Sequence, residues 1–306
     1  MVTCLIAGVA RAVDTREPSM HPLVRVAEIW QFREVIKNFV AQDLKVKYRR
    51  SYLGFFWSLL NPLLQMLVLS VVFRLIFRIE NFSLYLLAGL VPWAFFSTSV
   101  DGCAMSIVSA ESMLRRQYFP KLVFPLSTVL QNLVTFVLSL VVLLLVLGWP
   151  LGFHPSSALL ILPVSFLCLL CVALGAGALA AVVTVYFRDM QHLITVFMSA
   201  LFYLTPIIYP LEIKREAPPA PAAAQAASQP EYYKKPTVQG PVPEQYRSYF
   251  KLNPLYSIME MFHRPIYDNM LPTPSELGAA LFVATVALLG GLAVFWRYED
   301  ALIFAL

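Results

Sequence analysis

Residues 84–108 read LYLLAGLVPWAFFSTSVDGCAMSIV, an apolar run whose single charged side chain is Asp101. A helix rises about 1.5 Å per residue, so about 20 such residues cross a hydrocarbon layer of about 30 Å. The run therefore reads as a transmembrane helix. Runs of the same kind lie on either side of it, at residues 53–77, 122–147, 158–186, 193–209 and 277–296, separated mostly by short polar breaks. The expectation is an all-α integral membrane protein with six transmembrane helices. The whole chain agrees: 59% of its 306 residues are hydrophobic and only 13% charged, with a mean hydropathy of +0.69. That is a balance for lipid rather than water as solvent.

The net charge of +5 is spread between the apolar runs rather than gathered in one patch, which argues topology and excludes nucleic acid as a partner. Six crossings bring both termini to one side. Arg33, Lys37, Lys45, Lys47, Arg49, Arg50, Arg115, Arg116, Lys121, Arg188 and Arg297 then share a face, which the positive-inside rule makes cytoplasmic. The short outer loops offer only Arg74 and Arg78. Ahead of the first span, apolar residues recur at Ile29, Phe32, Ile36, Phe39, Val40 and Leu44, while Arg33, Glu34, Lys37, Gln42 and Lys45 take the other faces. Residues 28–52 thus read as an amphipathic interface helix on the cytoplasmic leaflet. Residues 1–27 form a separate N-terminal segment; its opening MVTCLIAGVARAV lacks a charged leader before the apolar stretch, so a cleaved signal peptide is not expected.

Beyond the fifth span, residues 211–251 carry EAPPAPAAAQAASQP, whose Pro and Ala bias reads as a flexible external insert. Residues 252–275 are aromatic and apolar but broken by Pro254 and Pro265, too short to span and suited to a helix at the outer interface. The sixth span, bounded at 276–297 as a segment, leads into a cytoplasmic tail at 298–306. Pro206, within the fifth span, is expected to bend that helix.

Little of this resembles catalytic apparatus. The sequence contains no G-x-x-x-x-G-K-[ST] loop, HExxH or GxSxG, and its histidines, His21, His154, His192 and His263, are scattered. No catalytic residue, metal or cofactor is expected in this chain. Cys168 and Cys171 form a CxxC inside an apolar run and read as packing. Asp101 sits near Ser97, Thr98, Ser99 and Ser106, which suits a side chain lining a watered cavity better than a proton relay. Aromatic residues cluster at Phe55, Phe56 and Trp57, at Trp93, Phe95 and Phe96, and at Phe202, Tyr203 and Tyr209. They read either as an interfacial belt or as walls of a passage that stack on sugar rings.

Taken in order, YRRSYLGFFWSLLNPL from Tyr48, LYLLAGLVPWAFFS from Leu84, LRRQYFPKLVFPLS from Leu114, VYFRDM from Val185, YLTPIIYPLE from Tyr203 and LNPLYSIMEMF from Leu252 resemble the type-2 ABC transporter permeases that export O-antigen, capsular polysaccharide or teichoic acid. The resemblance implies a homodimer of six-span subunits in the bacterial inner membrane, with two copies of an ABC ATPase subunit beneath it. ATP and Mg2+ would be held by the ATPase, and lipid-linked polysaccharide would pass through a channel between the permeases. It implies a coupling helix near residues 111–120, with Glu111, Leu114, Arg115, Arg116, Gln117, Tyr118 and Phe119 as contacts. It also favours Phe55, Phe56, Trp57, Trp93, Phe95, Phe96, Asp101, Phe202, Tyr203 and Tyr209 as channel lining. Short outer gate helices before the last span would use Leu252, Pro254, Tyr256, Met259 and Phe262. A lipid or drug exporter of the same class is the alternative. The Ala/Pro-rich insert departs from the resemblance, because relatives join these elements by a shorter segment.

Overall fold

The computed structural model describes residues 28–48, 56–77, 81–116, 119–145, 153, 155–211 and 243–305. Phe55, Gln117 and Tyr118, the N-terminal segment and most of the insert lie outside the described residues. The described elements are helical throughout. Five are long and apolar enough to cross a bilayer: α2 (Phe56–Phe77), α3 (Phe82–Ser109), α5 (Val123–Leu143), α6 (Leu162–Tyr186, extended by the 3-10 turn Ser157–Ile161) and α10 (Pro274–Tyr298). The shorter elements are α1 (Arg33–Tyr48), α4 (Glu111–Leu114), α7 (Met190–Leu204), α8 (Glu244–Lys251), α9 (Pro254–Ile266) and α11 (Leu302–Ala305).

The fifth apolar run differs from expectation. Its helix, α7, has 15 residues and stops at Leu204 instead of continuing bent to residue 209. Thr205 is extended, at φ −93° and ψ 128°, the conformation that a following proline favours, and Pro206 has no N–H to carry the helix on. Proline therefore ends the helix here rather than kinking it. Residues 244–251, read as the end of the insert, instead form α8. Elsewhere the ends follow local chemistry. Thr273 caps α10 through a reciprocal capping box with Glu276, followed by Pro274, and Asn253 caps α9 ahead of Pro254.

α3 lies at the centre. Leu86, Ala88, Cys103, Ala104 and Ile107 are wholly buried, and α2, α5, α6, α7 and α9 all pack on it. α6 in turn packs closely on α10. A Cβ on Gly175 would strike the Ala287 carbonyl, and one on Gly291 would strike the Gly175 carbonyl, so the two backbones touch at their crossing. Only glycine permits that approach. α1 does not lie free. Ile36 is buried, Phe39 stacks on Phe124 of α5 at 5.8 Å, and Phe119 fits against Phe32 at 6.0 Å and Phe39 at 6.4 Å.

α9 seals one end of the bundle, with Ile258, Met261, Phe262 and Ile266 fully buried. Pro265 deprives the Met261 carbonyl of its usual helical donor. The Ser165 hydroxyl of α6 donates to that carbonyl at 2.9 Å instead. The opposite end carries Arg115, Arg116, Lys121, Arg188 and Arg297 and is called the basic end below.

Candidate functional site

At the basic end, α3 turns through Ala110 into the single-turn helix α4. Glu111 pairs with Arg115 at 3.0 Å, which steadies the turn. Arg116 is exposed and has no ion-pair partner among the described residues. Leu114 is half-buried against the small apolar cluster at this end, whose core includes Ile107, Val185 and Phe295. Phe119 points back onto α1 as described. The loop is therefore clamped at both ends and presents Ser112, Met113, Arg115 and Arg116 outward.

A second feature runs along α3 and α7. Trp93 contacts Phe96 at 5.7 Å and Phe202 at 5.6 Å, and Phe202 meets Tyr203 at 5.3 Å. Tyr209 donates its hydroxyl to the Tyr203 carbonyl at 2.9 Å and lies edge-on to Phe250 of α8 at 5.9 Å. Lower on the same pair of helices, the Thr195 hydroxyl donates to Asp101 Oδ1 at 3.3 Å. The structure thus gathers five of the aromatic candidates, with Asp101, along the seam of α3 and α7 and the turn after α7, with Trp93 and Phe96 buried inside the protomer. Phe95 turns the other way, stacking on Phe136 of α5 at 5.1 Å. Phe56 and Trp57 stand on α2, 48% and 56% exposed. Of α7 only Met198 is buried, while Val196, Phe197 and Tyr203 are each more than half exposed.

The outer candidates split by helix face. Leu252 is 78% exposed and Pro254 is exposed, whereas Met259 and Phe262 are buried in the protomer's core, Phe262 against Phe136 and Phe166. Tyr256 is partly covered. Sequence reasoning missed what surrounds them. The His263 ring stacks on Tyr85 with centroids 4.3 Å apart, in space that a Cβ on Gly89 would invade. Tyr85 donates its hydroxyl to the Pro206 carbonyl at 3.1 Å. Asn253 donates to the Leu204 carbonyl and the Thr205 hydroxyl at 3.3 and 3.0 Å. Arg264 bridges Glu276 of α10 and Glu260. Burial first, then the negative charge of Glu276, pushes the Glu260 carboxyl up to about 7, and burial brings His263 down to about 4. The signal was present in MEMFHRPI: two opposite charges four residues apart in an otherwise apolar stretch.

A cavity of about 280 Å³ separates α2, α3 and α5, with Lys47 of α1 on its wall. Among the described residues no group of three or more His, Cys, Asp or Glu side chains could hold a metal ion.

The family profile described as ABC-2 type transporter matches residues 34–216. The chain is 35% identical over 273 residues to the O-antigen export system permease protein RfbA of Myxococcus xanthus, covering 88% of this chain and 94% of that protein. It is 30% identical to a Klebsiella pneumoniae protein of the same name, over 55% of this chain and 66% of that one. It is 23% identical to the polysialic acid transport protein KpsM of Escherichia coli, over 88% and 95% of the two chains. With the profile spanning more than half of its residues and a relative aligned along nearly its full length, the chain belongs to the ABC-2 type transporter family.

Proposed function

We propose that this chain is the permease subunit of an ATP-driven exporter that carries a lipid-linked polysaccharide, of the O-antigen, capsular or teichoic acid kind, across the bacterial inner membrane. The observation that carries this reading is the likeness, over 88% of the chain, to a protein named as an O-antigen export permease. The chain supplies the path, and ATP and Mg2+ act in a partner ATPase.

Six crossings, with both termini cytoplasmic, fit this role. α7 alone rises only about 22 Å at about 1.5 Å per residue, and the turns of residues 205–211 follow it. Thr205, Ile207, Ile208 and Leu211 are buried there, and irregular backbone is tolerated at membrane depth when protein covers it. The basic end then faces the cytoplasm.

The exposed α7 strip is the natural face for a second copy. Two copies would line a passage with Phe202, Tyr203 and Tyr209, flat surfaces that let sugar rings slide and that buried Trp93 and Phe96 back from within the protomer, and with Asp101 and Thr195 wetting its inner part. Weak, repeated contacts suit processive passage, because a tightly held segment would not leave. At the cytoplasmic end α4 is the coupling element. Its clamped ends transmit movement into α3 and α5, and Arg115 and Arg116 meet the ATPase. Phe119 serves by holding the loop to α1, and the gate at the outer end uses α8, α9 and the exposed Leu252.

The test is co-purification with the candidate ATPase and coupled export, for the native loop and for Arg115→Glu with Arg116→Glu. The double variant is expected to lose the ATPase or its coupling while still reaching the membrane. If no ATPase accompanies the native chain and the charge reversal changes nothing, the export reading fails.

A further inference from the structure

The cavity between α2, α3 and α5 belongs neither to the aromatic strip nor to α4. Its walls carry Lys47, Asn61, Thr98, Asn132, Thr135 and Ser139 among aromatic neighbours. Three helices long and apolar enough to span a bilayer border it, so in a membrane its polar groups would lie among apolar surroundings, where an unmet donor is costly. Thr98 and Thr135 already donate their hydroxyls to the carbonyls of Ala94 and Gln131, at 2.6 and 3.2 Å. The carboxamides of Asn61 and Asn132 and the hydroxyl of Ser139 have no hydrogen-bond partner among the described residues. Asn132 and Ser139 are not even on an exposed face: Asn132 is half-buried and Ser139 is 4% exposed.

We infer that this cavity binds the phosphate head of a lipid, with Lys47 countering its charge and Asn61, Asn132 and Ser139 donating to its oxygens. The assignment rests on matching chemistry. A phosphate offers only acceptors, and Asn61, Asn132 and Ser139 each bring at least one donor, with a cation beside them. A volume of about 280 Å³ admits a small head and no polymer. Lys47 lies in the last turn of α1, and α1 is braced along α5 by Phe39. A bound head would therefore tie α1, α2, α3 and α5 together. Two sources share this chemistry: an anionic phospholipid of the bulk membrane and the phosphate of a polyprenyl carrier.

The full chain, purified in mild detergent without any ATPase, would be titrated with phosphatidylglycerol, a polyprenyl phosphate, diacylglycerol and the matching polyprenol, with retention read by native mass spectrometry. This readout is independent of export, so its failure and that of the export reading are separable. Expected is retention of one or both phosphate-bearing lipids at least tenfold above the phosphate-free counterpart, reduced about tenfold by Lys47→Gln with Asn132→Leu. Preference for phosphatidylglycerol identifies a resident lipid, and preference for the polyprenyl phosphate identifies the carrier. Equal retention with and without phosphate, or no effect of the double variant, overturns the inference. Because Asn132→Leu could disturb packing, the unaltered chain would also be labelled with a photoactivatable phosphatidate. Adducts on residues 57–62 or 132–139 support the site, and adducts confined to other segments overturn it.

Discussion

Glycine placement sets how closely the helices approach, and it does so one residue at a time. Gly175 and Gly291 face backbone, whereas a Cβ on the adjacent Gly290 would meet nothing within 4 Å. Gly291→Ala is therefore expected to destabilise the purified protein by about 2 kcal/mol or more through forced separation of α6 and α10, while Gly290→Ala is neutral or slightly stabilising. Thermal unfolding in detergent compares the two directly. His263 and Glu260 make a second residue-scale prediction. Buried His263 folds in its neutral form, so its contribution is full above 6.5 and is lost as pH falls through about 4. Glu260, raised from 4.5 to about 7, contributes fully below 4.5 and loses stability as pH rises through about 7. Between about 4.5 and 6.5 the two slopes, each about 1.4 kcal/mol per pH unit, oppose one another, and native stability is flat. His263→Phe, which keeps the stack on Tyr85, should make stability fall across that window. Glu260→Gln should make it rise. A melting series at several pH values that shows the same flat profile for all three proteins would refute the assignment.

At the scale of elements, the long helices were legible because each is a continuous apolar run of membrane length, and their ends were legible wherever a cap or proline marked them. The faces of those helices were not. Apolar residues surround α3, so periodicity could not tell Phe95, which packs on α5, from Phe96, which joins the α7 strip. Amphipathic α1 was legible as a surface helix, but its apolar face suits lipid and protein equally well, and only Phe119 and Phe124 decide between them. Met259 and Phe262 read as gate residues from their segment; the structure buries their side of α9. The short segment after α7 was misread because Pro206 was assigned a bend, although its predecessor's extended backbone ends the helix. The junction between α7 and α9 is held chiefly by Asn253, which caps α9 and bonds to Leu204 and Thr205. Asn253→Ala should cost about 1–2 kcal/mol. Faster hydrogen exchange at residues 205–211 would register it, with α10 unchanged.

For the whole molecule, the asymmetry of burial is the main observation. α3 and α9 are enclosed, while α7 and much of α2 show their apolar side chains outward. In a membrane lipid can cover such faces, so their exposure alone does not require a partner. A cysteine at exposed Val196, compared with one at exposed Val286 on α10, separates the alternatives. If two copies meet along α7, oxidation in native membranes should cross-link only the first into a dimer; equal cross-linking, or none, would count against that arrangement. The amino-acid sequence could not display this, because a helix face awaiting its own copy has the same composition as one facing acyl chains. The glycine contact between α6 and α10 bears on how such an assembly would move. Two rods whose main chains touch have no intervening side chains to repack, so they resist both sliding and rolling. On the proposed export reading they would form the stator, and a stroke entering at the basic end would be taken up on the opposite flank, by α2 and α7, whose apolar faces are largely exposed.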